Sequence, residues 1–352
     1  MDEALILVDR TDRHAGTTPA DYQNHILPQV SRTFALTIPQ LPAALQTVVA
    51  NAYLLCRMAD TIEDDPGLTV VQKHSFQSAF LDVVMGKADA VRLSDELSRH
   101  LTERTLAAER DLIRHMPQVL AVTATLNATQ RHATLACLTV MTQGMAEFQN
   151  KASLSGLADR QELDRYCYCV AGCVGETLTE FFIDYAPELA PQRQALRKLA
   201  RSFGAGLQLT NILKDQRDDA ARGVCWLPRD LLAEHRVEPG QLQAGAHHAG
   251  HARVTAELVG TANAHLWRAL EFTLLIPARH SGIRRFLSWT IGLALLTLRN
   301  VQACPEAPVK VSRAEVAMII RLTTLSQRSN TGLRMLYRVA CGKLPVTPIN
   351  AG

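Results

Sequence analysis

The chain has no apolar run long enough to cross a bilayer: its strongest, Trp289 to Leu298, is about half the roughly 20 residues a membrane helix needs. The N-terminus, MDEALILVDRTDRH, has charges on both sides of a short apolar run, without the basic start and long apolar core of an export signal. Net charge is also nearly missing. With 37 basic and 34 acidic residues the total is +3 over 352 residues, which supplies no global field toward nucleic acid or an anionic membrane. The eight cysteines, Cys56, Cys137, Cys167, Cys169, Cys173, Cys225, Cys304 and Cys341, lack the density and even spacing of a secreted disulfide scaffold. Strand-like alternation is scarce, and no G-x-G-x-x-G follows a strand. These absences argue against a membrane-spanning protein, a disulfide-stapled module and a nucleotide-binding sheet. The expectation is a soluble cytoplasmic protein, at most peripheral at the inner membrane face, with no nucleic-acid partner.

Helical periodicity is what the chain does have. Apolar residues make up 47% and charged residues 20%, an ordinary globular composition. Leu45, Val48, Val49, Ala52, Leu55 and Cys56 recur at three- and four-residue spacing, and the 70s to 80s, 160s to 180s and 190s to 210s behave alike. Turn signals separate these stretches at Pro66-Gly67, Gly156, Pro187 with Pro191, Gly223, Pro239-Gly240 and Pro305 with Pro308. The pattern predicts an all-α fold of about ten helices in a single domain. GQLQAGAHHAGHAR, from Gly240 to Arg253, reads as a small-residue loop leading into a helix at about Val254. Its His247, His248 and His251 have no local Cys or carboxylate to complete a metal site, so a solvated loop is the better reading.

Two acidic clusters carry the chemistry. In AYLLCRMADTIEDD, Asp60, Glu63 and Asp64 stand at i, i+3 and i+4 on one helix face, while Asp65 points elsewhere. Three like charges at that spacing repel each other unless a cation sits among them, and hard oxygen donors suit Mg²⁺. In QLTNILKDQRDD, Gln208, Asn211, Asp215 and Asp219 form a second ladder on an otherwise apolar helix, predicting a polar cavity wall. Either cluster alone also reads as a solvated acidic helix end. Two of them, about 150 residues apart and each beside basic residues (Arg57, Lys214 and Arg217), fit a shared metal-bridged site better. Carboxylates repel a diphosphate at close range, so metal ions must bridge the two and neutralise the leaving group.

At these residues the sequence resembles the squalene and phytoene synthase family, with its D-x-x-E-D motif at Asp60 to Glu63-Asp64 and its D-x-x-x-D motif at Asp215 to Asp219. SRTFAL from Ser31, GMAEF from Gly144, YCYCVAGCVGE from Tyr166 and RGVCWLP from Arg222 follow in the family's order, and the similarity spans roughly residues 25 to 340. YCYCVAG, GMAEF and the VKVSR segment (Val309 to Arg313) look most like the squalene synthase branch.

The resemblance implies a single-domain isoprenoid-synthase-type helical bundle with a central active-site cavity over residues 25–340, an extension over 1–24 and a tail over 341–352. It implies a prenyltransferase of isoprenoid (sterol or hopanoid) biosynthesis. Two farnesyl diphosphates would be joined head to head, through presqualene diphosphate, to squalene, with Mg²⁺ (or Mn²⁺ as a substitute) and NADPH. It also implies metal ligation by Asp60, Glu63, Asp64, Asn211, Asp215 and Asp219, and substrate contacts from Ser31, Arg32, Phe34, Arg57, Gln208, Asn211, Val170 and Gly175. Arginines suit phosphate through charge-assisted bidentate bonds. Tyr53 and Tyr166 would stabilise carbocations, with Tyr166 favoured as the proton relay, although each also reads as a core aromatic. Lys310 and Arg313 would pair with the phosphates of NADPH, but Ser312 stands where the family often has a basic residue.

Val170, Ala171, Gly172, Val174 and Gly175 would let an isoprenoid chain lie against their helix, or serve close helix packing. Cys167, Cys169 and Cys173 are better read as packing than as zinc ligands, since only Cys169 and Cys173 share a face. The closing KLPVTPINAG carries no anchor of the kind eukaryotic relatives usually end in, which suggests a bacterial-type soluble form touching the membrane surface transiently to discharge product. The competing expectations are a synthase that forms presqualene diphosphate, dehydrosqualene or phytoene without reductant, and a non-catalytic helical binding protein.

Overall fold

The computed structural model describes residues 18–238, 249–303 and 310–349. Among them it has sixteen α-helices and no strand, only an isolated bridge between Leu157 and Pro228. In chain order these are α1 (Pro19–Val30), α2 (Arg32–Thr37), α3 (Ala43–Asp64), α4 (Val70–Val84), α5 (Ala90–His100), α6 (Ala107–Arg114), α7 (Met116–Thr125) and α8 (Ala128–Gln149). Then follow α9 (Arg160–Cys167), α10 (Cys173–Tyr185), α11 (Arg193–Ala221), α12 (Arg229–Glu234), α13 (Ala249–Leu275), α14 (Ser281–Ala303), α15 (Arg313–Ser326) and α16 (Asn330–Cys341). The all-α expectation holds, but the helix number is higher than about ten. Short pieces such as α5, α6 and α7 are too brief to stand out by periodicity. The helix expected from about Val254 starts at Ala249, so His251 is helical, with its Nε2 2.9 Å from Gln216 Oε1. His247, His248, Cys304 and Val309 lie outside the described residues.

Local chemistry explains many of the boundaries. Thr18, Thr69, Asn127 and Ser312 each open a helix through a reciprocal capping box, with Asp21, Gln72, Gln130 and Glu315 respectively. Helix α3 stops at Asp64, two residues before Pro66. The apolar Trp289–Leu298 stretch lies in α14, whose Phe286, Leu287, Ile291, Leu295 and Leu298 are buried, so its hydrophobicity belongs to a core helix. No helix among the described residues is long and apolar enough to cross a membrane.

Helices α10, α11, α13 and α14 pack in sequence, and α3 and α8 close against α10. Two glycines let α11 approach the 166–185 segment closely. A Cβ on Gly175 would collide with the carbonyl of Ala200, and one on Gly204 with the carbonyl of Ala171. A π-helical turn, Tyr168–Gly172, joins α9 to α10. Its Cys169 occupies the space beside Gly144 of α8, and Cys173 Sγ lies 3.7 Å from Cys137 Sγ of the same helix. Cys169 and Cys173 therefore do share a face, and it packs on α8.

Candidate active site

The C-terminal half of α3 forms the first wall. Tyr53 donates its hydroxyl to the carbonyl of Val30 at 3.0 Å and accepts from Arg57 Nη2 at 3.2 Å. Its ring lies 5.0 Å from that of Phe34. The hydroxyl is thus satisfied, as a core aromatic requires, while the ring still faces the cavity described below. One turn on, the Arg57 guanidinium sits 3.7 Å from both Asp60 and Glu109. Asp65 turns away from the ladder and is buried, accepting from Gly67 N, Thr102 N and Thr105 Oγ1 at 2.8, 2.8 and 2.6 Å. Burial pushes its pKa up, but the hydrogen bonds from Thr105, Thr102 and Gly67 outweigh burial and hold it below the usual value. These bonds fix the loop ahead of α6 and so deliver Glu109 to Arg57.

Glu63, in the last turn of α3, is under strong electrostatic pressure. Burial, then the charges of Asp64 and Asp60, push its carboxyl up to about 8 against the opposing pull of Lys73 and Arg222. Its backbone carbonyl accepts from Lys73 Nζ and from Gln149 Nε2 of α8. Burial also lifts Asp60 to about 6, with Arg57 countering and Asp64 and Glu109 adding to it. Neither carboxylate has enough positive charge around it to stay fully ionised at neutral pH.

The second ladder lies along α11. Gln208, Asn211 and Lys214 face the cavity; Asp215 pairs with Lys214 at 3.1 Å, and Asp219 is buried at the helix end. Arg222 joins the two ladders, its Nη1 2.9 Å from Asp64 Oδ1 and its Nη2 2.5 Å from Asp219 Oδ1. The two acidic clusters therefore do face each other. Among the described residues no group of three or more His, Cys, Asp or Glu side chains is gathered closely enough to hold a metal ion as it stands.

Below this gate is a cavity of about 520 Å³. Ser31, Arg32, Tyr53, Arg57, Asp60, Gln208, Asn211 and Lys214 line its polar part. Phe34, Val170, Val174, Gly175, Leu178 and Phe181 belong to its apolar part. Gly175 lines this cavity and also admits the carbonyl of Ala200 of α11. Ser31 does double duty too, because it caps α2 by accepting from Phe34 N at 3.0 Å.

Three of the expected positions behave differently. Tyr166 does not line the cavity; it is buried, stacked on Trp226 with centroids 4.1 Å apart and edge-on to Phe148 at 5.1 Å. Burial first, and then the charges of Glu63, Asp219 and Asp64 among its neighbours, hold its phenol well above the usual pKa. Trp226 reaches it because the RGVCWLP segment is clamped to the loop after α8, with Leu157 N bonding Leu227 O at 3.1 Å and Cys225 N bonding Ser153 O at 2.9 Å. Lys310 and Arg313 are exposed and outside the cavity lining. Ser312 between them is the N-cap of α15, which gives it a structural use in place of a basic residue.

Sequence reasoning passed over Arg222, Glu109 and Lys73 as site residues. Arg222 had a signal, three residues after Asp219 and at the head of RGVCWLP. Glu109, in AAERDLIR, looks like any charge on an amphipathic surface helix.

The helical bundle around a polar-mouthed central cavity defines the all-α isoprenoid synthase fold. Solved structures agree: the TcSQS complex with the ligand BPH1237 superposes with a TM-score of 0.74 at 21% identity, over 92% of this chain and 97% of that one. A dehydrosqualene synthase in complex with ligand gives 0.65 at 21%, over 88% and 97%. The model of the squalene/phytoene synthase family matches residues 27–319, and the chain belongs to that family. Squalene synthase ERG9 of Gibberella zeae is 26% identical over 296 residues, which is 82% of this chain and 61% of that relative's length.

Proposed function

We propose that this chain is a prenyltransferase that joins two farnesyl diphosphates head to head, through presqualene diphosphate, and reduces the product to squalene. The observation that carries the reading is the cavity of about 520 Å³, apolar in its depth and flanked at its mouth by two facing carboxylate ladders. That volume falls within the range of about 300–1,000 Å³ typical of small-molecule sites. Val170, Val174, Leu178 and Phe181 would bed the isoprenoid tails and exclude water, while Arg32, Arg57 and Lys214 would pair with phosphate oxygens.

The residues present fit a hard divalent cation such as Mg²⁺. Asp60 and Glu63 hold more negative charge than their surroundings balance, and Arg222 bridges Asp64 and Asp219. Asp60, Glu63 and Asp64 would hold metal from one side, and Asn211, Asp215 and Asp219 from the other. A bound cation supplies Lewis-acid stabilisation of the departing diphosphate. Tyr53 presents its ring to the polar end of the cavity, where a cationic carbon would develop. Tyr166 stays protonated beside the carboxylates, so its phenol can hold a proton there but is a poor base by itself.

NADPH is assigned to Lys310 and Arg313. Asn300 Nδ2 bonds the carbonyl of Lys310 at 3.0 Å, one helical turn beyond the cavity residue Thr297. A second reading, a synthase that stops at presqualene diphosphate or dehydrosqualene, is favoured by the exposure of these two residues and the use of Ser312 as a cap. Incubation with farnesyl diphosphate and Mg²⁺, with and without NADPH, followed by mass spectrometry separates the two. Squalene formed only with NADPH supports the first; products that do not change with NADPH sink it.

A further inference from the structure

Three free thiols, to which the proposed reaction gives no role, meet where α3, α8 and α10 come together. Cys137 Sγ of α8 lies 3.7 Å from Cys173 Sγ of α10, and both are buried. Half-buried Cys56 of α3 also hydrogen-bonds to Cys137. The position of Cys173 is fixed by its own helix, because its thiol donates to the carbonyl of Cys169 at 3.0 Å, inside the π-helical turn. Alanine or valine would meet the packing needs of any of these places. Two sulfurs in van der Waals contact add a chemistry that those residues lack.

The pair also borders open space. A second cavity, of about 630 Å³, has Cys137 and Cys173 in its wall beside Ala133, Val140 and Thr177. Cys137 and Thr177 belong to the walls of both this cavity and the active-site cavity. A molecule as small as hydrogen peroxide therefore reaches the sulfurs without unfolding the bundle. Hydrogen bonds with Cys173 and Cys56 hold the Cys137 thiol well below its usual pKa although burial opposes them, so Cys137 is the sulfur that ionises and attacks. The hydrogen bond with Cys137, and then burial, push the Cys173 thiol up, so it keeps its proton. A bond between the two needs their 3.7 Å separation to shrink to about 2.05 Å, an approach of roughly 1.6 Å. Side-chain rotation with a small movement of α8 toward α10 supplies it.

We propose that Cys137 and Cys173 are a peroxide-sensitive dithiol whose oxidation ties α8 to α10 and narrows the active-site cavity. The Cys137 thiolate takes one oxygen from hydrogen peroxide; the O–O bond breaks, and the other oxygen leaves as hydroxide, which becomes water with the proton the thiol gave up. The Cys173 sulfur then attacks the resulting sulfenic acid. The S–S bond forms, the S–O bond breaks, and the second oxygen leaves as water with the Cys173 proton. Two thiols lose two electrons in all, and one peroxide is reduced to two waters. The cavity narrows because Thr134 and Met141, on α8 with Cys137, and Val174 and Leu178, on α10 with Cys173, line it.

The link is read without turnover, so its test is separate from that of the reaction proposed above. The full chain is treated with hydrogen peroxide, its remaining thiols are blocked with N-ethylmaleimide, and tryptic peptides are mapped without reduction. The expected product joins the Cys137 peptide to the one that carries Cys167, Cys169 and Cys173, with fragmentation placing the link at Cys173 and dithiothreitol removing it. Release of diphosphate from farnesyl diphosphate by the linked protein should fall by about tenfold or more, because a wall displaced by about 1 Å misplaces the reacting groups, and should recover with dithiothreitol. Cys173→Ser keeps a hydroxyl to donate to the Cys169 carbonyl, cannot form the link, and should retain most of its activity through the same treatment. Cys341→Ser, on α16, should form the link as before. No link between Cys137 and Cys173, a link from Cys137 to Cys56 in its place, undiminished diphosphate release by linked protein, or an equal loss of activity in Cys173→Ser overturns the proposal. A chain that forms the link but releases no diphosphate even when reduced supports the dithiol and removes the proposed reaction instead.

Discussion

Asp60 and Asp219 stand on opposite sides of the gate, and substitution separates their charge from their shape. Asp60→Asn and Asp219→Asn each keep side-chain volume but remove an anionic donor, so metal-dependent release of diphosphate from farnesyl diphosphate should fall by about 100-fold or more. Assay of released diphosphate against Mg²⁺ concentration checks this; unaltered release would remove the catalytic assignment. Asp65, one residue from the ladder, has a different job. Asp65→Ala strands the donors of Gly67, Thr102 and Thr105 and should cost about 2–4 kcal/mol, seen as a lower urea midpoint. Burial, and then the charge of Arg268, lower His265 on α13 to about 4, below its ordinary 6.5. The unfolded chain therefore takes up a proton that the folded chain refuses. The contribution of His265 to stability should fall as pH drops from about 6.5 to about 4, by at most about 1.4 kcal/mol per pH unit, against the opposite trend of the raised carboxyls of Asp60 and Glu63. His265→Gln should remove that contribution, so that the variant's stability relative to the unsubstituted chain rises as pH falls from about 6.5 to about 4.

At the scale of elements, the contact of α11 with the segment 166–185 depends on glycine. Gly204→Ala brings a methyl group against the carbonyl of Ala171, deep in the bundle, so the helices must separate or strain. The expected loss is about 1–3 kcal/mol, with a weaker affinity for substrate because Gly204 also lines the cavity. Thermal melting and KM measured together check both. The ladder spacing in Asp60, Glu63 and Asp64 was legible in the sequence because a single helix fixes it. The partnership of Glu109 with Arg57 was not, because it depends on Asp65 holding the loop ahead of α6. The π-helical turn at Tyr168–Gly172 was invisible for a related reason: its one-residue shift leaves the hydrophobic pattern nearly unchanged.

Across the whole molecule, the sequence alone determined the helical class and the two carboxylate ladders, while the family resemblance pointed to cavity-lining residues such as Ser31, Arg57, Val170 and Asn211. The class and the ladders follow from short-range spacing, which a helix converts directly into a shared face. Tertiary structure decided what lies across a gap. It set Arg222 between Asp64 and Asp219 and stacked Tyr166 on Trp226 outside the cavity lining. Those relations join residues up to 158 positions apart. Only the packing of separate helices fixes such distances, and packing depends on side-chain shapes meeting from many elements at once.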